Sequence, residues 1–167
     1  MLTTASLPAS AAWAPLFAGY SSYLTYRVIK ARLSAKVLNG DGSFEELKAL
    51  QGGSNDVDPV KYKELRTAMR CQSNFVENVP LALVSIMTPN QILITMLESN
   101  RVNTKAIHGL LGTLFFARML HIHFGMFWNS SALGSGRPMG MILTNGVILV
   151  AGIWNGVIGN RWIADRF

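Results

Sequence analysis

A stripe of polar side chains on one predicted helix carries the clearest binding chemistry in this sequence. Its members, which share one face at about 3.6 residues per turn, are Arg66, Arg70, Asn74 and Glu77. The stripe runs without a turn signal into the apolar residues 81–87, so charged groups enter a segment able to cross a membrane. Such groups need a partner, a cavity or a ligand. A structural pairing of Arg70 with Glu77 is one explanation, and an anionic ligand held through its carboxylates is the other.

A second polar stripe lies on another predicted span, where Arg118 and His121 share a face with Gly125. These inward-facing groups favour an anionic, flexible ligand bound by arginines. His123 lies about 200° around the helix from His121, so the two rings cannot chelate one metal ion without other helices. The sequence contains no HExxH motif. We therefore expect no metal site.

Composition indicates a membrane protein. Of 167 residues, 14% are charged and 50% are hydrophobic, whereas a soluble domain has about a quarter of its residues charged. The net charge of +6 comes from basic residues that cluster beside the first predicted span rather than over a soluble domain. This pattern fits the positive-inside rule and argues against a nucleic-acid partner.

The chain is predicted to be an all-α, integral membrane four-helix bundle forming one domain over residues 1–167. The predicted spans, each near the length that crosses a bilayer, are 8–29, 63–87, 104–128 and 139–163. The first connection, predicted to be cytosolic, is a glycine-rich loop with a short amphipathic run at 44–50, and Pro59 can start the second helix. Thr104 is the expected N-cap of the third span, and residues 134–138 are the expected last connection.

Two smaller features have structural explanations. Gly152 and Gly156 form a small-xxx-small pattern, which lets a helix approach closely either within the chain or from another subunit. Cys71 is the only cysteine, so an internal disulfide is impossible and core packing is its expected role.

The polar motifs together resemble a known family. They are Arg70-xxx-Asn74-xx-Glu77-Asn78-x-Pro80, Ala117-Arg118-Met-Leu-His121, and the stretch from Val28-Ile-x-Ala-Arg32 to Gly40-Asp-Gly42. They are similar to the MAPEG family, the membrane-associated proteins in eicosanoid and glutathione metabolism, which include microsomal glutathione transferases and leukotriene and prostaglandin synthases. The resemblance covers nearly the whole chain, and residues 66–80 are its most specific part.

The resemblance implies a homotrimer of four-helix subunits, with glutathione bound between protomers near the cytosolic face. Arg70 would pair with a ligand carboxylate, Asn74 would donate a hydrogen bond, and Glu77 would accept one from the amine. The full set of cofactor-binding residues implied in this way is Arg32, Arg70, Asn74, Glu77, Asn78, Arg118 and His121. Arg66 is one residue out of register with the family arginine and is interpreted as an interfacial charge.

The resemblance also implies a catalytic residue, Arg137, which would stabilise the glutathione thiolate. A thiol with a pKa of about 8.5 is mostly protonated at neutral pH, and a guanidinium near a helix N-terminus favours the anion. An interfacial positive charge is the alternative role for Arg137.

The sequence therefore favours a membrane-bound glutathione transferase or peroxidase that attacks lipophilic electrophiles or lipid hydroperoxides. Its expected surroundings are membrane lipids of the endoplasmic reticulum or another intracellular membrane, including mitochondria. Asn78 and Gly125 stand where some family members carry tyrosine. These departures motivate an alternative, a non-catalytic structural or lipid-binding subunit of a larger membrane assembly. A transporter is disfavoured, because the four spans contain no inverted repeat.

Overall fold

A computed structural model of the protein describes residues 7–52, 58–83, 93–127 and 135–165, and all regular structure in these ranges is helical. The helices are α1 (Pro8–Ala35), α2 (Ser43–Gln51), α3 (Pro59–Leu83), α4 (Leu93–Ser99), α5 (Thr104–Met119) and α6 (Gly136–Ala164). From α5 the chain continues as a π-helix over Leu120–Phe127. The all-α prediction is confirmed for the described residues.

Two of the four predicted spans are both long and apolar enough to cross a membrane. Among the described helices these are Thr104–Phe127, which combines α5 with the π-helix, and Gly136–Ala164, which is α6. The first and second predicted spans are also helical: α1 begins at Pro8 and α3 begins at Pro59, as expected. Residues 84–87 and 128, at the ends of predicted spans, lie outside the described residues. The four-span topology therefore stays a prediction.

Two predicted boundaries were wrong. The N-cap of α5 is Asn103 rather than Thr104, because the Asn103 side chain accepts a hydrogen bond from the Lys105 backbone N–H. The last connection does not extend to residue 138, because α6 already begins at Gly136. Pro138 has a fixed φ and no N–H, which suits the first turn of a helix as well as a loop.

Contacts within the chain divide it into two compact units, Ala18–Val76 and Met1–Phe17 with Glu77–Phe167. We call the first the α2 unit and the second the α6 unit. One cluster of buried side chains in the α2 unit consists of Val28, Ala31, Ala35, Val37, Leu65 and Ala68. Cys71 is also buried in this unit, in agreement with a packing role. The predicted single domain over residues 1–167 stays a prediction.

Helices α5 and α6 approach closely in the α6 unit because Gly140 has no side chain. A Cβ at Gly140 would lie 2.5 Å from the Ala117 carbonyl oxygen and 2.5 Å from the His121 Cβ. At the other end of α6, the Asn155 amide donates to the Leu93 carbonyl oxygen at 2.7 Å. These contacts hold α4 and α5 against α6.

The glycines of the small-xxx-small pattern are not used inside the described part of the chain. A Cβ added to Gly152 or Gly156 would have no heavy atom of the described residues within 4 Å. Whether this pattern packs within the chain or against another subunit stays a prediction.

The first turn of α1 is held by a carboxylate from a distant segment. Glu98, which is 8% exposed, accepts hydrogen bonds from the Ala9 N–H at 2.6 Å, the Ser10 N–H at 3.0 Å and the Ser10 hydroxyl at 2.5 Å. The first N–H groups of a helix have no partner within it, and a negative charge is favourable at that end. Glu98 thus joins α4 to the start of α1.

We predict that Glu98→Ala lowers stability in detergent by about 1–3 kcal/mol, since it leaves buried donors unsatisfied. Glu98→Gln should have a smaller effect, because an acceptor remains. Thermal unfolding of the purified protein measures both. The control is Ser99→Ala, whose hydroxyl donates only to the Met96 carbonyl oxygen of its own helix. Equal unfolding temperatures for Glu98→Ala and Ser99→Ala would contradict this account of the helix end.

We predict that Gly140→Ala destabilises the protein by about 1–3 kcal/mol, because the new methyl group collides with backbone that cannot yield without separating α5 from α6. Gly146→Ala on the same helix is the control, since its Cβ meets nothing within 4 Å among described residues. That control should be neutral or stabilising by about 0.5–1 kcal/mol, as expected for glycine replaced within a helix. Thermal unfolding measures both variants. An unfolding temperature of Gly140→Ala equal to that of the wild type would mean that α5 and α6 are not in close contact.

Candidate functional site

The α2 unit contains a pocket of about 480 Å³ that three arginines line, and we call it the arginine pocket. Arg32, Arg66 and Arg70 supply its guanidinium groups, and Asp41 supplies a carboxylate. The remaining lining residues are Val28, Met69, Gln72, Ser73 and Val76. The pocket therefore combines a net positive charge with some apolar surface.

Helices α1 and α3 position the three arginines. Arg66 and Arg70 are one turn apart on α3, so their side chains share a face. Arg32 lies in the last turn of α1 and donates to the Leu38 carbonyl oxygen at 3.1 Å, with Met69 Sδ 3.7 Å from its other terminal nitrogen. The end of α1 is thereby tied to the segment that leads to α2.

The three guanidinium groups differ in what they already bind. Arg66 donates to the Glu46 carboxylate at 2.7 Å, an ion pair that ties α2 to α3. Arg32 donates to a carbonyl oxygen and forms no ion pair with a residue that the structure describes. Arg70 is exposed and has no hydrogen bond or ion pair with any residue that the structure describes. Arg70 is thus the cation most available to a ligand.

Asp41 is fixed by a tight turn between two glycines. Gly40 and Gly42 have φ of +73° and +80°, in the left-handed region that glycine tolerates best. The Asp41 carboxylate accepts the Ser43 N–H at 3.0 Å and the Ser43 hydroxyl at 2.8 Å. The backbone hydrogen bond from Ser43, helped by its hydroxyl, lowers the pKa of Asp41 below its usual range. Asp41 is therefore ionised at neutral pH.

This set of groups suits a small ligand that carries both signs of charge. Guanidinium groups bind carboxylates or phosphates with two parallel hydrogen bonds, and a carboxylate binds an ammonium group. With Arg66 paired to Glu46, the guanidinium groups of Arg32 and Arg70 against the Asp41 carboxylate favour a ligand with more negative than positive charge.

The other predicted residues of α3 do not line this pocket. Asn74 and Asn78 are half-buried and Glu77 is exposed, and none of the three is without an interaction partner. Only two of the seven predicted cofactor-binding residues, Arg32 and Arg70, are therefore brought together by the arginine pocket.

Arg118 and His121 lie in the α6 unit and bind α6 itself. Arg118 is 2% exposed; its Nε donates to Thr144 Oγ1 at 2.8 Å, and its Nη2 donates to the same hydroxyl and to the Gly140 carbonyl oxygen at 3.4 Å. His121 Nδ1 donates to the Arg137 carbonyl oxygen at 2.9 Å. Both residues therefore connect the third predicted span to the fourth.

Arg137 is the second residue of α6, and its position is set through its backbone. A Cβ added to Gly125 would lie 2.6 Å from the Arg137 nitrogen and 2.8 Å from its Cα. The Arg137 side chain is exposed. A guanidinium is thus held at the N-terminal end of a long helix, where the helix dipole also favours an anion.

Two charged residues that line the arginine pocket are not in the predicted cofactor-binding set. Asp41 lies in the Gly40-Asp-Gly42 motif, and its two flanking glycines and the serine two positions later are typical of a structured turn. Arg66 is interpreted from the family register as an interfacial charge, although its spacing of four residues places it on the same face as Arg70. In the structure Arg66 lines the pocket and pairs with Glu46.

The part of the chain that the structure describes holds no group of three or more histidine, cysteine, aspartate or glutamate side chains able to bind a metal ion. The expectation that the protein uses no metal stays a prediction.

Of the comparisons with known proteins, only the one with family models gives a match. No curated protein and no solved structure matches this chain. The model of the MAPEG family matches residues 10–157, which is most of the 167-residue chain and contains both the arginine pocket and the start of α6. The chain therefore belongs to the MAPEG family, whose members are membrane proteins of glutathione and eicosanoid metabolism.

Proposed function

We propose that this protein is a membrane-bound glutathione transferase or peroxidase. It would bind glutathione as co-substrate and activate its thiolate for attack on a lipophilic electrophile or a lipid hydroperoxide. Membership of the MAPEG family supports a function in glutathione or eicosanoid metabolism.

The arginine pocket carries this proposal. Glutathione has two carboxylates and one ammonium group, and the pocket offers the guanidinium groups of Arg32 and Arg70 and one ionised carboxylate, while Arg66 is paired with Glu46. Arg70 has no hydrogen-bond or ion-pair partner among the described residues, and Arg32 lies on the neighbouring helix. A tripeptide of this charge could pair with both, and each charge-assisted bond would be stronger than a neutral one.

The remaining cofactor contacts are proposed from the family resemblance. Asn74, Glu77 and Asn78 would contact glutathione from α3, and Arg118 and His121 from the third predicted span. The site would form between protomers of a homotrimer. Open space at Gly152 and Gly156 on α6 supports a helix contact with another subunit.

Arg137 is the proposed catalytic residue. Its guanidinium, at the start of α6, would stabilise the thiolate of bound glutathione and so raise the fraction that can react at neutral pH. In the transferase reaction the sulfur forms a bond to carbon as the leaving group departs. A groove of about 480 Å³ that includes Phe116, Phe124 and Leu143 supports a lipophilic partner, either lipid or substrate.

One observation bears on the non-catalytic alternative. Gly125, where the synthases of the family have tyrosine, lies against the Arg137 backbone, so any side chain at this position would displace the start of α6. The departure from the synthase pattern thus has a packing explanation. Glycine at position 125 supports an activity other than that of the synthases. It does not by itself support loss of catalysis.

We predict that Arg70→Leu weakens glutathione binding about tenfold to a hundredfold, which corresponds to the loss of a charge-assisted contact of about 1.5–3 kcal/mol. Equilibrium binding of glutathione to the purified protein in detergent measures the change. Lys63→Gln is the matched control: it removes an exposed cation from the same helix that does not line the pocket. If both variants bind glutathione as the wild type does, the arginine pocket is not the glutathione site.

We predict that Arg137→Gln lowers turnover about tenfold or more, because a thiol pKa that rises by about one unit reduces the thiolate fraction up to tenfold. The pKa of bound glutathione, followed by thiolate absorbance against pH, should move upward toward that of the free thiol. Glutathione affinity should change little, and Arg137→Lys should restore part of the turnover. Wild-type turnover in Arg137→Gln would remove this residue from the mechanism. Tight glutathione binding without turnover by the wild type would favour the non-catalytic alternative.

A further inference from the structure

We propose a second binding site in the α2 unit, which holds the headgroup of an amine-bearing membrane phospholipid such as phosphatidylethanolamine. The site is a pocket of about 320 Å³, and the residues that carry the argument are Tyr23, Tyr26, Arg27, Lys30 and Glu64. It shares no lining residue with the arginine pocket, so it goes beyond the proposed glutathione chemistry and does not depend on it.

The charges of this pocket are not neutralised by one another. Lys30 and Glu64 both line it, yet neither forms an ion pair or hydrogen bond within the described part of the chain. Arg27 also lines the pocket and donates to the Tyr23 hydroxyl at 3.2 Å. Lys30 and Glu64 therefore present one cation and one anion that no described residue neutralises, with the Arg27 guanidinium beside them.

A headgroup with a phosphate and an ammonium group has the complementary charges. Arg27 and Lys30 would bind the phosphate, since guanidinium and ammonium groups are the common phosphate ligands of proteins. Glu64 would accept from the ammonium group. A purely anionic headgroup would leave Glu64 without a partner and close to a phosphate, which is unfavourable.

The position of the pocket on α1 indicates that the ligand comes from the membrane. Arg27, Lys30 and Ser34 form one stripe at the end of the first predicted span, where lipid headgroups lie. The adjacent stripe is apolar and exposed: its members are Tyr26 (60%), Ile29 (51%) and Leu33 (71%). Acyl chains could cover this stripe while the headgroup occupies the pocket, and a soluble phosphate ester could not.

The test compares lipids that differ only in the headgroup. The wild-type protein in detergent is titrated with phosphatidylethanolamine, phosphatidylcholine and phosphatidylglycerol of equal acyl chains, and bound lipid is counted by native mass spectrometry. Phosphatidylethanolamine should bind most tightly, because phosphatidylcholine has no N–H to donate and phosphatidylglycerol has no ammonium group.

Three variants locate the site. Glu64→Gln should abolish the preference for phosphatidylethanolamine over phosphatidylglycerol. Lys30→Gln should weaken binding of both lipids about tenfold, equivalent to about 1.4 kcal/mol. Lys63→Gln, which removes an exposed cation beside Glu64 but outside the pocket, should change neither lipid. All three should bind glutathione as the wild type does, which separates this inference from the glutathione proposal.

Two results would overturn the proposal. The first is equal binding of phosphatidylethanolamine and phosphatidylglycerol that Glu64→Gln and Lys30→Gln leave unchanged. The second is displacement of bound lipid by soluble phosphoethanolamine at similar concentration, which would identify the occupant as a small phosphate ester.

Discussion

The burial of one charged side chain, Arg118, organises the packing of the α6 unit. A guanidinium removed from water needs partners for its N–H groups, and Arg118 finds them in the Thr144 hydroxyl and the Gly140 carbonyl oxygen. Those acceptors are within reach only because Gly140 lets α5 and α6 come into contact. The same close approach brings His121 to the Arg137 carbonyl oxygen and so sets where α6 begins.

The arginines of the two units illustrate two ways in which a protein uses a cation in or near a membrane. In the α6 unit the Arg118 guanidinium already donates hydrogen bonds to residues of α6. A ligand would have to compete with these hydrogen bonds. In the α2 unit Arg70 is exposed and has no partner among the described residues, so no described residue neutralises its positive charge. A charge left unsatisfied by the fold is better evidence for binding than one that the fold has paired. This is why the arginine pocket, rather than the Arg118 stripe, supports the glutathione proposal most strongly.

Sequence reasoning succeeded where the determinants are local. The starts of α1 and α3 at proline and the helical run that became α2 follow from short sequence patterns. The failures involve contacts between distant segments. Glu98 caps a helix that begins 90 residues earlier in the chain, and no local signal connects it with Ala9. Asp41 lines the pocket because the fold carries its turn beside α3. The π-helix packs against α6, a contact that periodicity does not reveal.

The contacts around Arg137 separate its structural contribution from its proposed chemical one. Gly125 touches its nitrogen and Cα, and His121 binds its carbonyl oxygen, so the start of α6 is held by atoms that every residue type possesses. The guanidinium itself is exposed. Had the side chain been buried in the helix contact, any loss of activity on its removal could be attributed to a displaced helix. The contacts with Gly125 and His121 use the Arg137 backbone, so replacing its side chain tests the proposed charge without removing either of them.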